Sequence, residues 1–493
     1  MLRSVAALVL LVVVSCSGGP RPRSAADEDG PTAPPLPWTA TAPAPPAVAS
    51  PLVALVGGTV MTATGPALED GVVLFANGRI VAVGSADEVE VPDGAERVDV
   101  RGRYVTPGII DTHSHMGVYA VPRVRATSDG NEATSPTTPE VRAADAVWPQ
   151  DPALARALAA GVTTIHVLPG SANLIGGAGV TLKLHLGRTV SELAFPGAPE
   201  TLKMACGENP KRVYGGRNAA PSTRMGNVAG YRAAFLSARE YGDAWARWQA
   251  EHLVWQGQRE DHQRTGEGDE PGPAPAPPDR DLGLERLLGV LDGRVLVQMH
   301  CYRADEMVRM IEVGDELGFQ VRAFHHAVEA YKIPDHLAAR GIAIATWADW
   351  WGFKLEAYDA IEENLALLTR AGARGVLHSD SPMLVQRLPQ EAAKAMAAGH
   401  RAGIEVSEHE ALRWITANAA WVLGIDEETG TLAPGRMADV VVWSGHPFSV
   451  YTRADRVYVD GLLAFDRSDP ATQHQTDFEV GQDLELRLPE ARP

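Results

Sequence analysis

The 493-residue chain is poor in several things, and each shortage excludes something. It has three cysteines (Cys16, Cys206 and Cys301), too few for a disulfide scaffold. Only six of its 44 basic residues are lysine (183, 203, 211, 332, 354 and 394), so arginine supplies nearly all the positive surface. Positive charge is itself short. Against 44 Lys and Arg stand 62 Asp and Glu, and the net charge of −18 repels phosphate backbones and argues against a nucleic-acid partner. The apolar run Val5–Val14 falls short of the ~20 residues that a membrane-spanning helix needs. What is present is ordinary: 45% hydrophobic and 22% charged residues are too balanced for global disorder. The length suits two or three domains, or one large barrel with attachments.

Behind Arg3, the short apolar run reads as the core of an export signal. It ends in Val13-Val14-Ser15-Cys16, which looks like the lipobox of bacterial lipoproteins, with Cys16 as the lipidated residue. On that reading residues 1–16 are a signal peptide, and the mature protein is exported and lipid-anchored to the bacterial cell envelope, at the outer membrane or cell surface. Ser17 in the position after the cysteine favours the outer membrane; an ordinary secretory signal cut elsewhere is the alternative. Residues 17–50 hold nine prolines and eight alanines and read as a semi-extended tether. A second stretch, 256–281, mixes Gly, Pro, Glu, Asp and Arg and reads as a disordered insertion, and 467–493 reads as a polar tail.

The body between them is split. Residues 51–107 are short β-type runs separated by Gly and Asp turns, with Asn77-Gly78 marking a hairpin, and 431–466 resume the same style. The two ends are therefore expected to pair into one small β-sandwich domain. Residues 108–430 alternate apolar strand runs (162–168, 294–299, 320–324, 341–345, 375–377) with helical stretches such as 305–317 and 357–371. That alternation predicts an α/β fold, a (β/α)8 TIM barrel whose chemistry gathers at the C-terminal ends of its strands.

The first barrel strand runs into His113 and His115. Two residues apart on a strand, both imidazoles face one side, which is metal-pair geometry. Together with Val105–His115, the motifs Gly161–Thr164, Leu168–Asn173, Lys203–Arg212, Glu329–Lys332, His378–Pro382 and Leu432–Asp439 resemble the amidohydrolase superfamily. Within it the chain is similar to the branch of imidazolonepropionase-like proteins and exported prolidase-like dipeptidases, and the resemblance covers about 51–466.

The resemblance implies metal ligands at the ends of strands one, five, six and eight, and on this chain those are His113, His115, His300, His326 and Asp380. It also implies a bridging group on strand four. Lys203, carboxylated, is the candidate, because that chemistry needs an amine that burial can neutralise; Glu208 is the alternative bridge. His325 is expected to face the other side of the sixth strand as a packed or supporting histidine. The implied cofactor is one or two divalent ions, with zinc the metal that imidazole and carboxylate donors suit. Asp380 would also be the catalytic base of a carbon–nitrogen hydrolysis on an amide, a cyclic amide or a dipeptide. An exported lipoprotein has no cytosolic histidine catabolism to serve, which turns the expectation from imidazolonepropionase itself toward a scavenging hydrolase.

Other residues carry two readings each. Tyr331, Lys332 and Arg224 are candidates to bind a substrate carboxylate or carbonyl, or to form structural ion pairs. Trp347, Trp350 and Trp351 wall a substrate pocket or pack in the core. Leu174–Gly179 is expected to be a loop over the barrel mouth, and Cys206 and Cys301 are expected to be free buried thiols. Two rival functions stay open: a tethered binding protein that keeps the barrel without turnover, and a deaminase or lactonase on the same fold.

Overall fold

The computed structural model describes residues 32–38, 48–185, 187–350 and 352–472; Cys16, the signal, most of the tether, Trp351 and the tail from 473 lie outside them. The chain opens with five short strands: β1 (Val53–Val60), β2 (Leu68–Ala76), β3 (Arg79–Ser85), β4 (Glu96–Asp99) and β5 (Tyr104–Pro107). Eight barrel strands follow: β6 (Ile109–Ser114), β7 (Val162–Val167), β8 (Ile175–Lys183), β9 (Glu200–Ala205), β10 (Val295–Cys301), β11 (Val321–His326), β12 (Ala343–Thr346) and β13 (Arg374–Leu377). Three more close the chain: β14 (Val440–Trp443), β15 (Ala454–Val459) and β16 (Leu462–Asp466).

The two ends do join. β14 pairs antiparallel with β5 and closes one connected sheet of order β16-β15-β14-β5-β1-β2-β3, with β4 added to β1. Asn77-Gly78 forms the tight β2–β3 turn, with positive φ at both residues, as a type I′ connection requires. Val53, Leu55, Val73, Phe75, Val105, Val440 and Tyr458 pack on one face of this sheet.

β6 to β13 follow one another in order as a second eight-stranded sheet. Its ends are drawn together where Asp380 N donates to His113 O at 3.0 Å, which makes a nearly closed barrel. One strand departs from the all-parallel pattern: β8 is antiparallel to both β7 and β9. The reason lies in the connection. Only Leu168–Leu174 separate β7 from β8, and a parallel crossover needs a dozen or more residues. The glycine-rich stretch expected as a mouth loop is thus the first part of a strand. Gly179 explains part of its composition: a Cβ there would lie 2.7 Å from both His166 Nε2 and Thr201 Oγ1, which are hydrogen-bonded to each other at 3.0 Å inside the barrel.

A second correction concerns the insertion. Helix Arg224–Thr265 runs on through the first part of the stretch read as disordered. Residues 243–278 and the described part of 1–40 make a compact unit of their own. Its tryptophans give the prolines something to pack on. Trp38 meets Trp245 edge-on at 5.3 Å, and Trp248 Nε1 and Trp255 Nε1 donate to the carbonyls of Pro275 (3.0 Å) and Gly272 (2.7 Å). Composition alone hid this, because the aromatic residues stand outside the proline run they support.

A third correction is covalent. Cys206 and Cys301 form a disulfide with Cα atoms 5.2 Å apart. They follow β9 and end β10, neighbouring strands whose backbone also joins through Cys206 N and His300 O at 2.9 Å. Both sulfurs face the packed layer outside the barrel, among Leu202, Met299 and Met307. The bond closes a loop of 95 residues, so cross-linking removes considerable freedom from the unfolded chain. Replacing both cysteines by alanine is expected to lower urea stability by roughly 2–5 kcal/mol. Rapid alkylation of both thiols in the non-reduced, unfolded protein would contradict the pairing.

Candidate metal centre

Alternation along the strands decides which side chains enter the barrel. Asp111 and His113 stand two apart on β6, as do Gln298 and His300 on β10, and these four are buried together with His166 of β7 and Lys203 of β9. A barrel interior filled by such groups, in place of branched aliphatics, is costly unless each group finds a partner.

His115 sits just past β6. Its Nδ1 is 2.7 Å from Leu168 O, and a carbonyl only accepts, so Nδ1 carries the proton and Nε2 presents a lone pair. That lone pair lies 3.3 Å from Asp380 Oδ1, with His113 Nε2 at 3.8 Å from the same oxygen. Acceptors facing one another need a cation between them, a proton or a metal ion. His326 brings Nδ1 to 4.0 Å from the other oxygen of Asp380. His300 adjoins it, with ring centroids 4.5 Å apart. His113, His115 and Asp380 offer ligand atoms close enough for one ion, and so do His113, His326 and His378. His378 Nε2 already accepts from the backbone N–H of His326 at 3.3 Å, which favours the first group.

Asp380 and His326 are held at φ of 49° and 72°, in the left-handed region that ordinary residues avoid at a cost of about 1–2 kcal/mol. The turn at His326 resolves an apparent conflict. His325 and His326 should face opposite sides of β11, yet His325 Nδ1 lies 2.9 Å from His113 Nδ1 while the His326 ring sits 4.8 Å from that of His113. The left-handed turn breaks the strand alternation and swings His326 back. His325 therefore supports the site from within the barrel, where the expectation had it facing away.

Burial sets the charge state of the cluster. Desolvation, joined by the positive charge of Lys203, holds His113 and His325 well below the ordinary imidazole range, and burial does the same to His300 and His326. Burial thus favours the neutral form of these rings. Desolvation also lowers Lys203 to about 7, with Asp380 pulling the other way, so a substantial neutral fraction exists near neutrality. Its Nζ is 3.3 Å from His113 Nε2. Asp111, pushed up to about 6 by burial against the hydrogen bonds of Ser379, ties the strand-eight turn to β6 through Ser379 N at 3.0 Å and Ser379 Oγ.

The donor set fits a divalent ion. The Nδ1 atoms of His300, His326 and His378 are buried without a hydrogen-bond partner, an expensive state that an ion would relieve. His113, His115, Lys203, His300, His326 and Asp380 thus converge. Glu208 does not stand with them. It begins a helix at the rim, where its carboxylate is 3.6 Å from Lys354 Nζ.

The candidate substrate contacts are already engaged. Lys332 pairs with Asp359 and with Glu329 (3.3 Å), and Tyr331 donates to Asp359 O at 3.2 Å. Arg224 is bound by Glu306 (2.5 Å) and Glu356 (2.6 Å). Lys332 and Arg224 thus stand in ion pairs, and Tyr331 in a hydrogen bond to a backbone carbonyl. Trp347 stacks on His326 at 4.7 Å and donates to Ser379 O, so it buttresses the ligands, whereas Trp350 is partly exposed beside it. Sequence reasoning gave no role to Asp111, Gln298, Tyr302 or His378. The placement of His378, directly after an apolar strand, was the available signal.

Residues 289–465 match the profile of the Amidohydrolase family. The crystal structure of an amidohydrolase from Thermotoga maritima MSB8 is 37% identical, with a TM-score of 0.72, covering 84% of this chain and 100% of that one. Over 421 residues the chain is 35% identical to amidohydrolase tasK of Hapsidospora irregularis, covering 82% of this chain and 40% of tasK, so it spans less than half of that relative's length. Over 403 residues it is 27% identical to an imidazolonepropionase of Rhizorhabdus wittichii, covering 76% of this chain and 88% of the relative.

The burial of Lys203 gives a direct test. In the metal-free protein, Lys203→Met is expected to leave urea stability unchanged or raised, whereas Lys203→Arg, a cation that cannot neutralise, is expected to cost roughly 3–5 kcal/mol. Equal stability of the two variants would contradict a dry, neutral site.

Proposed function

The chain belongs to the amidohydrolase family, hydrolases of carbon–nitrogen bonds, and from that premise we propose that it is a metal-dependent enzyme that opens an amide, a cyclic amide or a dipeptide bond. One observation carries the reading: four imidazoles, one carboxylate and a lysine of lowered pKa converge at the ends of the barrel strands, with the buried Nδ1 atoms of His300, His326 and neighbouring His378 lacking a hydrogen-bond partner.

His113, His115 and Asp380 would hold one ion, His300 and His326 a second, and Lys203 lies where it could join them. A divalent cation, for which zinc suits the donors, supplies polarisation of the scissile carbonyl and a water acidified to a pKa of roughly 7. The rest falls to side chains. Asp380, tethered by its backbone to His113 O and reaching both His115 and His326, is placed to accept the water's proton and return it to the leaving nitrogen. Burial pulls against its charge, yet His115, His378 and Lys203 hold its carboxyl below the ordinary range, so it starts ionised, as a base must. Trp347 and Tyr302 both stack on the His326 ring, at 4.7 and 5.0 Å, and cover it with apolar surface.

The disulfide supports the proposal that the protein works outside the reducing cytosol, consistent with an export signal and a lipidated Cys16. A deaminase or lactonase on the same fold remains the second reading, because the ligand set is shared.

Two measurements check the proposal. Metal analysis is expected to find at least one tightly bound transition-metal ion per chain. With zinc-loaded protein and a panel of Xaa-Pro and other dipeptides, N-acyl amino acids and lactams, at least one member is expected to turn over, and Asp380→Asn to lower kcat by roughly 10²–10⁴ with KM little changed. No turnover across the panel would sink the substrate assignment.

A further inference from the structure

We infer that Gln298 and His325 are positioning residues that lock His113 into the tautomer whose Nε2 is a free lone pair for the metal. The inference rests on the proposed metal-dependent reading, and it follows from one fixed point, a backbone carbonyl.

Gln298 Nε2 lies 3.1 Å from Val422 O. A carbonyl can only accept, so the amide's NH₂ faces Val422 and its oxygen faces the other way. That oxygen is 2.7 Å from His325 Nε2 and can only accept in turn, so His325 carries its proton on Nε2. A neutral imidazole has one N–H, which leaves His325 Nδ1 as an acceptor. It lies 2.9 Å from His113 Nδ1, and that atom must therefore be the donor. His113 Nε2 is left bare, facing Lys203 Nζ at 3.3 Å and Asp380 Oδ1 at 3.8 Å.

Each link has one allowed direction. Gln298, His325 and His113 are all fully buried, so no water competes for their hydrogen bonds. His325 is fully buried and no carboxylate touches it among its described contacts, so nothing in its surroundings balances a second proton. The relay crosses three barrel strands, β10, β11 and β6, and starts from Val422 in helix Ala417–Leu423, so closing the barrel and preparing the ligand are one event. Its element order gives a sequence rule: Gln298 and His300 are two apart on one strand, so the same face supplies a ligand and the residue that orients another ligand. His115, which donates to Leu168 O, reaches the same tautomer by a shorter route.

The first test needs no metal. In metal-free protein labelled with ¹⁵N-histidine, two-bond ¹H–¹⁵N correlations are expected to show His113 protonated on Nδ1 and His325 on Nε2. In Gln298→Leu the acceptor is gone, and both rings are expected to show mixed tautomers. Zinc affinity, measured by competition with a chromophoric chelator, is expected to fall 10- to 100-fold in Gln298→Leu. It is expected to stay within about threefold in Gln298→Glu, whose buried, protonated carboxyl reproduces both contacts. Wild-type His113 protonated on Nε2 would overturn the relay, as would unchanged tautomers and affinity in Gln298→Leu. Correct tautomers in a wild-type protein that binds no zinc would instead overturn the metal reading and leave the relay standing.

Discussion

Desolvation is the constraint on which this centre depends. A barrel interior normally filled with aliphatic side chains here holds Asp111, His113, His166, Lys203, Gln298, His300 and His325, all essentially inaccessible to water. In that setting an imidazole cannot afford a charge and an ammonium prefers to lose its own. The same physics that makes the interior expensive makes its groups good ligands, because a metal needs neutral nitrogen and ionised oxygen. The cost is met by pairing. Thr201 and Thr181 flank His166, Ser379 satisfies Asp111, and Gln298 anchors His325. Within the cluster, the Nδ1 atoms of His300, His326 and His378 are left without a hydrogen-bond partner.

The scaffold serves that pairing. The antiparallel course of β8 brings glycines, in place of bulky side chains, against β9 and makes room for His166 and Thr201. It also sends the far end of β8 to the opposite end of the barrel, where Lys183 is buried between Asp439 (3.0 Å) and Asp460. The disulfide pins the ends of β9 and β10 from the outer side while His300 is presented on the inner one. The small β sheet, built from both ends of the chain, joins the barrel through Gly108 N and Asp439 O, one residue before β6 begins.

Much of this was legible in the sequence, and what was not has physical reasons. His113 and His115 could be read because period-two spacing on an apolar strand is a local signal. The five later strands could be read because each is a short apolar run with a chemical residue at its end. β8 was hidden by its glycines, which look like loop until the pairing partner is known. His325 was misdirected because the left-handed φ of His326 leaves no mark in the sequence. The disulfide pairs residues 95 apart in sequence, a distance only the fold can shorten. Lys332 and Arg224 carried the right charge for substrate and Tyr331 a hydroxyl, yet their pairing is invisible until Asp359, Glu306 and Glu356 are seen nearby.

The convergence of neutral imidazoles on Asp380 is the central claim, and its most direct test is a crystal structure of zinc-loaded protein with anomalous scattering collected at the zinc edge. The account predicts a peak bound by His113, His115 and Asp380, with any second peak beside His300 and His326 and Lys203 between them. A peak held instead by His378, or none within reach of His113, would contradict it.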